Sequence, residues 1–361
     1  MVKDNLEDVK LLKNLIEIPS PSGYEKAVAE FLEEKLSEFV PKKNICRDIQ
    51  HNVTVTIPGK SSDVIMIDAH SDVVGYIVAN INKWGGISLQ SVGGQDSTIL
   101  STRSLYILAN NGKNVIHSIV DRKHSHLVYD EDTELIYHPS QVELDIGPKN
   151  PTEIMQYVKI GDPVVYLPSF KSLIPPYYAG YGLDDKSGCY ILYKTIKDII
   201  QRKHVPEYTL VFTFSAQEET GNSKIMPLIR QYKPKVCIEV DVTFATDYGD
   251  EADMESEVGR CRLGEGISLY RGADIDNELL EIIFKIAHQK KVPYQIQPCG
   301  GRIGYTSLEV TGEQNGIRSL VFGIPLRNMH SPNEVINFND LLTGSQLLKY
   351  FLVSDKLKNI L

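Results

Sequence analysis

Paired cysteines, basic clusters and long apolar runs are all missing from this chain. Its five cysteines (Cys46, Cys189, Cys237, Cys261, Cys299) are scattered, odd in number and never spaced as CxxC. That pattern disfavours a disulfide framework and a thiolate zinc site. A reducing cytoplasm is the expected location. No apolar stretch approaches the length of a membrane span. The opening segment MVKDNLEDVKLLKN is charged and helical in period, without the apolar core of a secretory signal. Acidic residues outnumber basic ones, for a formal charge of -9, which argues against nucleic acid or an anionic membrane surface as a partner. Repeats and low-complexity tracts are also absent, so a solenoid is not expected.

At 361 residues the chain exceeds the usual size of one hydrophobic core, so a large domain with a smaller companion is the first expectation. Apolar residues recur at helical spacing in LEDVKLLKNLIEI and EKAVAEFLEEKLSEFV, with the breaker PSPSG between them. NVTVTIPG and DVIMIDAH read as strands. From about Gly75 to Tyr166 the texture changes to short β-rich pieces broken by glycines, such as IGDPVVY. We read residues 76–166 as a β-rich domain inserted between two parts of an α/β domain, 1–75 and 167–361. Alternation then resumes: KSGCYILYKTIKDIIQ and DNELLEIIFKIAHQK as helices, YTLVFTFS, KVCIEVDV and RSLVFGIP as strands, and a closing helix from about Asn339. This order predicts an α/β fold, a sheet with helices on its faces.

Acidic or imidazole side chains stand wherever a strand-like run stops. VIMIDAHSDVVG ends in Asp68, His70 and Asp72; KVCIEVDVT carries Glu239 and Asp241; RSLVFGIP is followed by His330. YTLVFTFSAQEETG ends in Glu218 and Glu219, side by side although like charges repel. A glycine-flanked loop, YGLDDKSGC, adds Asp184 and Asp185 at a helix start. Ligands of open α/β sheets collect beyond the carboxyl ends of strands, so these distant groups can converge. Two imidazoles with several carboxylates suit zinc, cobalt or manganese. A carboxylate has two oxygens and can bridge two such cations, the geometry of two-metal hydrolases.

The pieces DAHSDVVG, GLDDKSGC, AQEETGN, EVDVT and PLRNMHSPNEV, in this order and with a β insertion after the first, resemble the M42 family of dinuclear metallo-aminopeptidases, which includes glutamyl and tetrahedral aminopeptidases. The resemblance covers nearly the whole chain. It implies a mixed sheet flanked by helices, an inserted domain used for dimerisation, short peptide substrates, and two divalent metal ions per subunit. It further implies that His70, Asp184 and Asp241 bind one metal and that Asp184, Glu219 and His330 bind the other. Glu218 is then the general base, and Asp72 resembles the carboxylate that fixes the His70 tautomer. Family members form homo-oligomers, from dimers to dodecamers.

Other polar residues have simpler readings. Asp185 suits a helix start. Glu239 falls on the same strand face as Asp241 and reads as a supporting acid. Lys186 and Arg327 balance negative charge. His117, His124, His126 and His138 form a second histidine set inside the insertion, which reads as polar histidines on the surface of a β domain because HxH alone is unspecific. Where family members commonly carry Gly-Thr-Asp-Ala, this chain has Gly304, Tyr305, Thr306 and Ser307, a change that bears on the substrate side-chain pocket. Alternative activities are a carboxypeptidase or deacylase on the related dinuclear fold, or a glycosidase with paired carboxylates.

Overall fold

The computed structural model describes residues 6–122, 126, 139, 142–221, 223–249, 251–300, 311, 313 and 316–358, and the structural statements below concern those residues. Helices α1 (Leu6–Ile16) and α2 (Lys26–Ser37) lead into β1 (Ile45–Arg47), β2 (Val53–Ile57) and β3 (Ser61–His70). The next stretch holds β4 (Gly75–Ile81), β5 (Ile87–Val92), β6 (Ser104–Leu108), α3 (Ala109–Gly112), β7 (Asn114–Val120), β8 (Glu143–Asp145), α4 (Pro151–Ile154) and β9 (Pro163–Tyr166). Then come β10 (Phe170–Ser172), β11 (Tyr177–Gly180), α5 (Leu183–Gln201), β12 (Tyr208–Ser215), α6 (Met226–Tyr232), β13 (Val236–Phe244) and α7 (Glu251–Val258). The chain closes with β14 (Ile267–Gly272), α8 (Asn277–Lys290), β15 (Tyr294–Cys299), β16 (Arg318–Leu326), β17 (Glu334–Asn337) and α9 (Phe338–Leu352).

Eight strands form one sheet in the order β1-β2-β12-β3-β13-β16-β14-β15. Its centre is parallel, because β12, β3, β13 and β16 all run the same way. β2 runs against β12 and β14 runs against β16, so the sheet is mixed, as expected. Both faces are covered, which accounts for the near-continuous apolar character of the central strands. Side chains alternate between faces. Ile65, Ile67 and Ala69 of β3, with Phe212, Phe214, Ile238 and Val240, join the larger core beneath α1, α2, α5, α8 and α9. Val64, Met66, Val211 and Cys237 turn to the other face and pack with Ile225, Leu228 and Ile229 beside α6. Each such leucine or phenylalanine contributes roughly 1.5–3 kcal/mol of burial.

The α6 face changes character along its length. Apolar at the start of the strands, it becomes polar toward their carboxyl ends, where the same alternation sets Asp68 and His70 after Met66, Thr213 and Ser215 after Val211, and Glu239 and Asp241 after Cys237. All six are buried. The sheet therefore carries a polar patch at one end of an otherwise dry face.

β4-β5-β8-β7-β6-β9 close into a barrel with its own core, including Val78, Leu89, Leu105, Ile107 and Val164. Val73, Val74 and Tyr181 of the α/β unit belong to that same core, so the barrel is docked and not tethered. Tyr76 and Tyr166 share a hydroxyl hydrogen bond of 3.1 Å at this seam, and the Tyr181 hydroxyl donates to the Val74 carbonyl. A small sheet, β10-β11-β17, completes the architecture. β14, β15 and this small sheet were not foreseen from periodicity. Their apolar residues are too few per strand to outweigh the glycines and turns around them.

Candidate metal centre

His70 ends β3, Asp241 lies late in β13, and the turn after β12 carries Glu218 and Glu219. The turn is sharp because Gln217 adopts a left-handed φ of 59°. His330 follows β16 in a turn where Asn328 and His330 itself have φ of 57° and 58°. Asp184 arrives from a different direction, at the start of α5. Its φ/ψ of -82°, 108° is not yet helical, and regular helix begins only after Asp185.

Two compact donor groups result. His70, Asp184 and Asp241 form one, and Asp184, Glu219 and His330 the other, each with its ligand atoms within 4.8 Å of one another. Asp184 belongs to both. Its Oδ1 lies 3.0 Å from His70 Nε2, and its Oδ2 lies 3.3 Å from His330 Nε2. Asp241 Oδ1 is 3.6 Å from His70 Nε2, and Glu219 Oε2 is 3.3 Å from His330 Nε2. Neither lysine nor arginine among the described residues forms an ion pair with Asp184, Glu219 or Asp241.

The donor set fits divalent cations. It combines imidazole nitrogen with carboxylate oxygen and no thiolate, the preference of zinc, cobalt and manganese. Glu219 Oε1 is buried with no hydrogen-bond partner, a costly state that a cation would relieve. Each group could hold one ion, with Asp184 common to both.

Charge balance points the same way. Burial alone would lower the His70 pKa, but hydrogen bonds to Asp184, Asp241 and Asp72 carry it well above the ordinary imidazole value. Burial, then the charges of Asp241, Asp72 and Asp184, push Glu218 up to about 8. Burial and the Asp184 charge also push Glu219 well up. The protein alone leaves this cluster short of positive charge.

Around the donors, Asp72 works through main-chain contacts. Its Oδ1 accepts the Glu218 N–H at 3.1 Å, and its Oδ2 accepts the Glu219 N–H at 3.2 Å and the Ser22 hydroxyl at 2.6 Å. The nearer partner of His70 Nδ1 is the Asp72 backbone carbonyl at 3.1 Å, with the carboxylate at 3.5 Å. The carboxylate's lone pairs are already shared among three other donors. Glu25 is fully buried and accepts the N–H of Gln217 at 3.2 Å, steadying the strained turn from behind. Gly94, in the loop after β5, lies against the His330 ring, where a Cβ would sit 3.8 Å from Nδ1, so the barrel reaches the second group.

A model of the M42 glutamyl aminopeptidase family matches residues 51–347. The chain belongs to the M42 family. As an M42 protein it is a hydrolase of the exopeptidase class. It is 25% identical over 349 residues to the lysyl aminopeptidase of Pyrococcus furiosus, covering 96% of each chain. A TET aminopeptidase from a marine-sediment thaumarchaeon superposes with a TM-score of 0.89 at 24% identity, over 97% of this chain and 96% of the other. The Pyrococcus horikoshii TET1 peptidase, described as assembling into a tetrahedron or a large octahedral shell, gives 0.82 at 24% identity over 96% and 99%. These two likenesses establish the M42 fold for this chain.

The remaining singled-out residues fall as follows. Asp185 accepts the Gly188 N–H at 2.9 Å and so caps the regular part of α5. Glu239 pairs in register with Asp68, one side-chain step below the donors. Lys186 is buried and donates to the Ile18 carbonyl at 2.6 Å. Arg327 forms a two-pronged pair with Asp247 at 2.8 and 2.7 Å. Neither cation therefore neutralises the donor groups by direct pairing. His117 is exposed and stands edge-on to Tyr106, and His126 is exposed. His124, His138 and the stretch Gly304 to Ser307 lie outside the described residues. Ser22, Glu25, Gly94 and Glu334 were missed by sequence reasoning. The one available signal was Glu334, four residues after His330.

Proposed function

We propose that this chain is a dinuclear metal-dependent aminopeptidase that removes N-terminal residues from short peptides. The observation that carries the reading is Asp184, whose two oxygens face His70 and His330 separately. His70, Asp184 and Asp241 would hold one ion, and Asp184, Glu219 and His330 the other. When bound, two such cations act as Lewis acids and acidify a shared water. Glu218 is half-buried and would take a proton from the attacking water and return it to the leaving amine. Its value of about 8 reflects burial first. Asp72 keeps Glu218 and Glu219 in place by holding both of their N–H groups.

The test is cleavage of free-amine and N-acetylated peptides before and after chelation, followed by reloading with cobalt, zinc or manganese. We expect cleavage of free-amine peptides only, lost on chelation and restored by one of the ions. Preference for N-acetylated substrates would indicate a deacylase or carboxypeptidase. Chelator-resistant hydrolysis of a glycoside would indicate a glycosidase.

We also infer a homo-oligomer, a dimer or a closed assembly of up to twelve subunits, with residues 76–166 as the dimerisation domain between the catalytic parts 1–75 and 167–361. Exposed Trp84, Val115, Ile119, Met155, Tyr157 and Ile160 on that unit support it, as does the assembly named for the Pyrococcus horikoshii relative. Light scattering on a sizing column tests this, and a monomer in metal-replete buffer would overturn it. Five unpaired cysteines suit a reducing cytoplasm, and no helix among the described residues is long and apolar enough to cross a membrane.

A further inference from the structure

Glu334 is not one of the donors, yet it grips the backbone beneath two of them. It opens β17, is 1% exposed, and pairs in register with Gly180 of β11. Its Oε2 accepts the N–H of Leu183 at 2.7 Å and of Asp184 at 3.3 Å. Its Oε1 accepts the N–H of His330 at 3.0 Å.

Both grips answer a local need. Leu183 and Asp184 precede the regular turns of α5, so their buried N–H groups gain no partner from the helix and require an acceptor. Glu334 supplies it from 151 residues away. On the other side, His330 sits at a left-handed φ of 58°, a conformation that a non-glycine residue keeps only when its surroundings fix it. The hydrogen bond to its N–H supplies that restraint.

One rigid carboxylate thus spans the main chain of Asp184 and that of His330. An apolar residue here would leave three buried donors unmatched, and an amide would turn an N–H group toward at least one of them. The geometry points to Glu334 as a positioning residue that sets the separation of Asp184 and His330, and so the second cation's site. This inference rests on the two-cation reading of the centre.

Cobalt titration of chelator-stripped wild type and Glu334→Gln, followed by calorimetry and visible absorption, tests it. Wild type should take up two equivalents. The variant should keep the first near wild-type affinity, bind the second about 10–100-fold more weakly, and show an altered cobalt absorption band. Its kcat should fall with little change in KM. A variant with both wild-type affinities and the wild-type spectrum, even one that melts earlier, would overturn the proposal and leave Glu334 as a support of the backbone before α5 only. Wild type that binds no cobalt would overturn the two-cation reading itself, a separate result. Should Glu334→Gln fail to fold, Glu334→Asp, with both oxygens on a shorter stem, is titrated in the same way. Selective weakening of its second equivalent supports the proposal, and equal or absent weakening overturns it.

Discussion

Glu219 is tied to Asp72 through the main chain: its N–H donates to Asp72 Oδ2 across 3.2 Å. The neighbouring Glu218 N–H takes the other oxygen at 3.1 Å, so one buried carboxylate fixes the backbone of both glutamates. Asp72→Asn turns an amide N–H toward one of those donors. We expect kcat to fall by roughly 10–100-fold, with metal affinity falling less steeply than for loss of a donor. Steady-state kinetics and metal analysis on the same sample check this, and unchanged kinetics would remove Asp72 from the scheme.

The two glutamates themselves should separate by readout. Glu219→Gln should weaken retention of one ion, because Glu219 Oε2 lies with Asp184 and His330. Glu218→Gln should retain metal and lose turnover by about 10²–10⁴-fold. Inductively coupled plasma analysis beside initial rates distinguishes them. Normal rates in Glu218→Gln would show that the base lies elsewhere.

How much of this could be read from the sequence follows from how each residue acts. His70 ends β3, Asp241 lies in the last half of β13 and the glutamate pair follows β12, and the parallel centre of the sheet brings these positions to one edge. Periodicity finds the strands, and residue type finds the donors. Ser22 acts by donating its hydroxyl to the Asp72 carboxylate, and Glu334 by accepting the Leu183 N–H, each across 50 or more positions. No spacing rule exposes such a partnership. The barrel is similar: its glycine-broken strands were visible as a change of texture, but its contact at Gly94 was not.

Asp276 offers a test of stability away from the centre. It caps α8 by accepting the Leu279 N–H at 2.9 Å and also accepts from Arg318 Nη2 at 2.9 Å. Burial would raise its pKa, but the hydrogen bonds from Arg318 and the Leu279 N–H outweigh it and lower the value. A carboxyl group lowered on folding contributes stability above its unfolded pKa, near 3.9, and loses it as pH falls through the folded value. Asp276→Ala should therefore cost about 1–3 kcal/mol at pH 7 and progressively less below pH 4. Urea unfolding across that range gives the answer, and a cost independent of pH would contradict the ionic account.

Gly188 lets α5 approach β13. A Cβ there would lie 2.5 Å from the Val240 carbonyl and 2.2 Å from Asp185 Oδ2, closer than real contacts allow. Gly188→Ala should destabilise the fold by roughly 1–3 kcal/mol. Because α5 carries Asp184, activity should fall further than the stability loss explains. Thermal melts paired with specific activity measure both, and a neutral melt would show that the helix can ride outward.

The Gly94 contact also limits modularity. A small barrel inserted in a loop looks exchangeable, like a decoration that evolution could trim or swap. Here the barrel meets the ring of His330, so any replacement must fill the space beside it in the same way. Excising the insertion would bare one side of the His330 ring even if the α/β unit folded alone.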